Sequence, residues 1–220
     1  LHRLIRRQRQ MCIRDSYDIL KKDKRFFDAE EFKKLIHENN AVLTRDHIRE
    51  EFKKGNIKVL DYPEFDLKKQ LSTASIDLTL DNIFWIYKAT TDPISLTDDI
   101  NFMDYVDEVY KKDTEELLLH PGYAILGQTK ERLILPGNII GYVDGRSRYA
   151  RMGLTIHITA AWIQPGSQNK TMLEISNIGP QILAIKPGLK ICQVYFLRCS
   201  GQAYHTQYGQ MFANKVNYKE

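Results

Sequence analysis

Glu174 stands in the middle of an otherwise apolar run, Leu173-Glu174-Ile175. It lies in a stretch from Gly145 to Asn177 that also carries a Gly-Arg-Ser sequence, further arginines, a histidine and a Pro-Gly turn. A carboxylate at an apolar boundary has its pKa raised by desolvation and lowered by nearby guanidinium groups, the balance that poises a general base. Alternation along Thr171 to Asn177 puts Leu173 and Ile175 on one strand face and Met172, Glu174 and Ser176 on the other. If the first pair enters the core, Glu174 looks into whatever covers the opposite face; a solvated strand glutamate is the plainer alternative. Upstream, Asp144-Gly145-Arg146-Ser147 reads as a tight turn whose glycine allows close backbone approach, with Arg146 and Arg148 able to hold phosphate by charge-assisted hydrogen bonds. An ordinary surface loop would use the same residues.

Other chemistries find less support. His157, between Ile156 and Ile158, has no second histidine or cysteine at ligand spacing and reads as a hydrogen-bonded structural residue, not a metal ligand. Ser147 and Cys192 lack a recognisable base and orienter, and the phosphate loop G-x-x-x-x-G-K-[ST] does not occur. Cys12, Cys192 and Cys199 form no C-x-x-C pair, which suits free thiols in a reducing, cytoplasmic setting. Zinc-dependent nucleobase deaminases need H-x-E followed by P-C-x-x-C, and neither is present, so any deamination by this chain would proceed without zinc.

The elements that must position these residues are mostly strands. The length of 220 residues fits one domain with an extension, and no run approaches the roughly 18 apolar residues of a membrane-spanning helix. The net charge of +4 invites a nucleic-acid reading, but five of the 32 basic and one of the 28 acidic side chains fall in residues 1–16. The rest of the chain carries 27 of each, which removes the support for nucleic-acid binding. Residues 1–16 lack the apolar core of a signal peptide, and MCIRDS resembles a translated sequencing adaptor; this basic tail is expected to be non-native or unstructured.

Residues 17–41 read as a helical extension. Asp28 and Glu31 form a capping box before Phe32, Leu35 and Ile36. A second short helix starts after Thr44, carries Ile48 and Phe52, and stops at Gly55. Residues 75–80 alternate strictly, with Asp77 on the polar face, and residues 83–87 make an aromatic strand. Residues 91–117 are acidic and interrupted and read as a loop with one helical turn over a sheet edge. From there to Phe196, short apolar runs punctuated by turn signals argue for an all-β sandwich or jelly roll. Residues 201–220 read as a terminal arm, disordered or closing over a ligand.

Three strings together resemble the dCTP deaminase family of the dUTPase-like superfamily: LLLHPG at 117–122, LPGNIIGYVDGRSRYARMGLTIHITA at 135–160, and LEISNIGPQILAIKPGLKICQVYF at 173–196. The resemblance covers about Val42 to Gln210. It implies a mainly β, distorted jelly-roll domain over 42–200 that assembles as a homotrimer with active sites between subunits. It further implies hydrolytic deamination of dCTP to dUTP and ammonia, feeding dUMP and dTTP synthesis, with Mg2+ bound through the substrate triphosphate and no protein-held metal.

By the same resemblance Glu174 is the base that activates water, Ser147 and Arg151 position water and glutamate, and the backbone carbonyl of Ala160 meets the reacting amino group. Arg146, with Arg148 beside it, would bind phosphate. Two positions depart from the family pattern. Gln164 stands where I-D-P-G has aspartate, which argues against a dUTP diphosphatase or a bifunctional enzyme, because an amide cannot serve as a base. In the tail, Tyr204 and Gln210 match, but Gln207 replaces the expected phosphate-binding lysine. A trimer that binds nucleotide without turnover is the remaining alternative.

Overall fold

The computed structural model describes residues 42–203. The expectations for residues 1–16 and 17–41, for Cys12, and for Tyr204, Gln207 and Gln210 lie outside the described residues. Helix α1 (Arg45–Lys53) begins after Thr44 and gives way to Gly55, as its sequence predicts, and buries Ile48 against the sheet. Strand β1 (Lys58–Leu60) and a single-turn helix α2 (Leu67–Gln70) follow, the latter capped by Asp66.

The two strands read at 75–80 and 83–87 are one continuous strand, β2 (Ser75–Tyr87). The expected loop at 91–117 contains a 3-10 turn at Phe102–Tyr105 and a strand, β3 (Val106–Tyr110), paired antiparallel with the end of β2. Acidic side chains disguised this strand, and they suit it: charge on an edge strand discourages pairing with another sheet. The remaining elements are β4 (Leu117–Leu119), β5 (Ala124–Ile134), β6 (Ile139–Gly145), helix α3 (Ser147–Ala150), β7 (Leu154–Thr155), β8 (Trp162–Ile163), β9 (Gln168–Asn177), β10 (Leu183–Ile185) and β11 (Lys190–Arg198).

The main sheet runs β7-β9-β5-β2-β11-β6-β8, with β1 added at β5 and β3 at β2; β10 and β4 form a separate pair. The first half of β2 pairs with β11 and its second half with β5, and the register shifts between Leu80 and Phe84. One strand therefore serves two layers, and the break in register is where a sheet turns a corner. Ile76, Leu78, Leu80 and Phe84 point from β2 into the core, where they meet Leu133, Leu173, Ile175, Val194 and Phe196, all fully buried. A smaller apolar cluster of Trp85, Val106 and Leu126, with Met172 against it, lies apart from this core.

The alternate residues of β2 are polar and largely buried, and each finds a partner. Ser75 Oγ donates to Gln193 at 3.1 Å, Asp77 pairs with Arg146 at 3.2 Å, and Asp81 pairs with Lys170 at 2.8 Å. At Thr79 the backbone N–H donates to the carboxylate of Glu131 at 2.9 Å, and the same carboxylate accepts from Gln70 at 2.9 Å. Glu131 is wholly buried and replaces a strand-to-strand bond at the corner. Burial holds its pKa above the ordinary carboxylate value, against the lowering effect of these hydrogen bonds. Cys192, also fully buried, has its thiol pushed up by burial and by Glu131, which leaves it inert.

The turn that follows α3 is tied to the turn that follows β9 by backbone contact. Gly153 has φ +86°, and a Cβ there would lie 2.4 Å from the backbone nitrogen of Gly179. Ile178 N donates to Gly153 O at 2.8 Å across the same junction.

Two outcomes follow for stability. Gly153→Ala combines a left-handed backbone with a backbone clash and should lower unfolding free energy by at least about 2 kcal/mol in urea titrations. Because the folded-state pKa of Glu131 is raised, its stabilising contribution is complete below the unfolded carboxylate value and is lost as pH rises through the folded value. Glu51 opposes this at lower pH. Burial pushes its carboxyl up, but hydrogen bonds from Asn56 and Arg198 outweigh burial and leave its pKa lowered. The readout is therefore the difference between wild type and Glu131→Gln, which cannot ionise: the variant should lack the fall in stability with rising pH.

Candidate active site

Glu174 lies on β9 between Leu173 and Ile175, both fully buried in the core, so its own side chain projects from the other face. Its backbone N–H donates to Ile156 O at 2.9 Å, which lays the segment after β7 alongside the strand. One carboxylate oxygen, Oε2, accepts from the backbone N–H groups of Ile158 at 2.6 Å and Thr159 at 3.0 Å. The other, Oε1, makes no hydrogen bond among the described residues. Ala160 continues the same turn and is exposed, so its carbonyl and the Glu174 carboxylate belong to one locality.

The wall beside the carboxylate comes from distant strands. Glu174 pairs with Leu126 on β5, and Leu126 pairs with Trp85 on β2, so the three share a row across the sheet. Trp85 and Leu126 are buried in the smaller apolar cluster, with Met172 packed against it. The Trp85 indole N–H donates to Glu108 at 3.1 Å, which fixes the ring. Tyr87, two residues further along β2, is 47% exposed. Burial and the negative charge of Glu174 both hold its phenol above the ordinary pKa. Neither the wall nor Tyr87 was legible in the sequence, because cross-strand neighbours about 40 and 90 residues apart leave no local pattern; the aromatic alternation of 83–87 was the one available signal.

The arginine-serine region is built differently from the tight turn its sequence suggests. β6 runs through Gly145, Arg146 is extended, and Ser147 begins the single-turn helix α3. Arg146 is held by Asp77 at 3.2 Å and by the Lys190 carbonyl at 2.9 Å, so β2 and the start of β11 fix its guanidinium. Asp77, on the polar face of its strand, is therefore a structural partner. Ser147, Arg148 and Arg151 are exposed, and their side chains make no hydrogen bond or ion pair among the described residues. None of them makes a hydrogen bond or ion pair to Glu174 among the described residues. Gln164 is exposed at the turn between β8 and β9, its carbonyl accepting from Ser167 N at 3.1 Å.

His157 departs from its expected hydrogen-bonded state: its buried Nδ1 has no partner among the described residues. The ring packs edge-on to Tyr142 at 5.9 Å, and Tyr142 packs against Trp162 at 5.0 Å. Aromatic edge-to-face contact, not hydrogen bonding, holds this histidine. Among the described residues, no group of three or more His, Cys, Asp or Glu is placed to hold a metal ion, and no helix is long and apolar enough to cross a membrane.

Comparison with known proteins places this geometry. A family model described as dCTP deaminase-like matches residues 42–199. A dCTP deaminase of Natronomonas pharaonis is 36% identical over 165 residues, spanning 74% of this chain and 83% of that protein. One of Tolumonas auensis is 38% identical over 163 residues, spanning 71% and 83%. A protein of Methanosphaera stadtmanae named dCTP deaminase, dUMP-forming, is 35% identical over 157 residues, spanning 71% and 78%. Among solved structures, the 2'-deoxycytidine 5'-triphosphate deaminase of Agrobacterium tumefaciens superposes with a TM-score of 0.57 at 20% identity, over 81% of this chain and 54% of that one, a likeness of fold. With the family model covering nearly all the described residues and relatives above 30% identity across most of their own length, the chain belongs to the dCTP deaminase-like family.

Proposed function

We propose that this protein deaminates dCTP hydrolytically to dUTP and ammonia, with Glu174 as the proton carrier. The observation that carries the reading is the state of the carboxylate. Oε2 is held by two backbone N–H groups while Oε1 stays free at the edge of an apolar wall, in a chain that belongs to a family of named dCTP deaminases. A fixed, half-used carboxylate beside low-dielectric surroundings suits a general base.

In this mechanism Glu174 takes a proton from water, and the hydroxide adds to C4 of the cytosine ring. Glu174 then delivers that proton to N3. Collapse of the tetrahedral carbon expels the amino group, which leaves as ammonia after taking a proton through Glu174, and the carbonyl of dUTP forms. The carbonyl of Ala160 accepts from the amino group and orients it. Ser147 and Arg151 position water and carboxylate, and Arg146 and Arg148 hold phosphate together with Tyr204, Gln207 and Gln210 of the terminal arm. Mg2+ arrives on the triphosphate as part of the substrate and takes no role in activating the water.

A homotrimer is part of the proposal. Ser147 and Arg151 make no hydrogen bond or ion pair to Glu174 among the described residues, and a neighbouring copy would supply them. Ile158 and Trp162 are more than half exposed around the turn that holds Glu174, apolar surface that a second copy would cover. Such an assembly would work in the cytoplasm.

The second reading comes from relatives named dUMP-forming, which imply loss of two phosphates as well as the amine. Gln164 speaks against it, since a side-chain amide cannot activate water for phosphate cleavage. Incubating the protein with dCTP or dUTP and magnesium, while following ammonia and pyrophosphate, separates the two. Ammonia but no pyrophosphate is expected, and Glu174→Gln should lower kcat about 10²- to 10⁴-fold with the fold intact. Pyrophosphate from either nucleotide would remove the argument from Gln164; nucleotide binding with no product would leave only a binding protein.

A further inference from the structure

The face that carries Glu174 also holds the Tyr87 phenol, which the mechanism does not use. On β2, Trp85 and Tyr87 project to the same side, and the Trp85–Leu126–Glu174 row sets the strand spacing. One step along, Ile86 pairs with Ile125 and Ile125 with Ile175, and beyond that row Ala124 pairs with Ser176. Tyr87 is therefore offset from Glu174 by two strands and two rows, which puts it on the same face at the next outward-pointing position. On β5 the diagonal between them runs between the side chains of Leu126, in the row of Glu174, and Ala124, in the row of Tyr87. A small residue at Ala124 leaves room for a tyrosine ring to lean across the sheet toward the carboxylate.

We propose that Tyr87 is a positioning residue for the deamination: its phenol O–H donates to the water that Glu174 activates, from the β2 side, opposite the Ile158 and Thr159 amides. This rests on the functional reading above. Two further features support it. The phenol and carboxylate are close enough for the charge of Glu174 to hold the tyrosine proton on, so a donor is available across the working pH range. The two side chains make no direct hydrogen bond to one another, so the free Oε1 and the phenol can share a third group between them. The other charged groups near this end of β2 are committed elsewhere: Glu108 to the Trp85 indole at 3.1 Å and Asp107 to Lys88 at 3.6 Å.

The role is that of a donor, so removing the hydroxyl while keeping the ring is the informative change. Tyr87→Phe preserves shape and the contacts of a half-exposed ring and should unfold at the wild-type temperature. With dCTP and magnesium, its kcat should fall about a hundredfold, the scale of loss when a reacting group is misplaced by about an ångström. KM for dCTP and binding of the product dUTP should stay within about twofold. A variant with wild-type kcat, or one whose loss is entirely in KM, would overturn the assignment while leaving deamination itself intact. Wild-type protein that releases no ammonia from dCTP would instead overturn the functional reading, and the role of Tyr87 with it.

Discussion

The structure depends on a run of buried polar pairs along β2. A strand that passes from one layer to another must lose ladder partners where it turns, and each orphaned group in the interior costs on the order of 1–3 kcal/mol. Here Glu131 takes the Thr79 N–H at the turn, Lys170 takes Asp81 just after it, and Arg146 takes Asp77 just before it. The same pairs that close the corner thus fix the arginine beside the Ser147 helix. The position of that arginine and the stability of the fold draw on one set of contacts.

The candidate site has the complementary character. Its residues are held mainly by backbone groups: Glu174 by two amides of the turn after β7, Ala160 by its place in that turn, and the α3 region by contact between two glycine backbones. Ser147, Arg148 and Arg151 are left exposed, while Arg146 is held by Asp77 and the Lys190 carbonyl. A scaffold that positions through its backbone keeps side chains available for binding, and it limits the reorganisation needed when charge develops.

Much of this was readable along the chain because its signals are local. Alternation placed Leu173 and Ile175 inward and Glu174 outward, Thr44 and Gly55 bracketed a helix, and turn residues marked a mainly β domain. The motif strings carried the family, which spacing alone would not have reached. What escaped was set by distance in sequence or by composition. β3 was hidden by its acidic edge; the continuity of β2 was hidden by Asp81 and Asn82, which look like a turn but sit at a bulge. The Trp85–Leu126–Glu174 row is written in three separate strands. The Asp77 partner of Arg146 left no local signal because it lies 69 residues away.

The touching backbones of Gly153 and Gly179 bear on how such a site can adapt. A side chain at either position would meet backbone, so substitution there strains the junction. The arginine-serine helix and the glutamate strand consequently behave as a single lever.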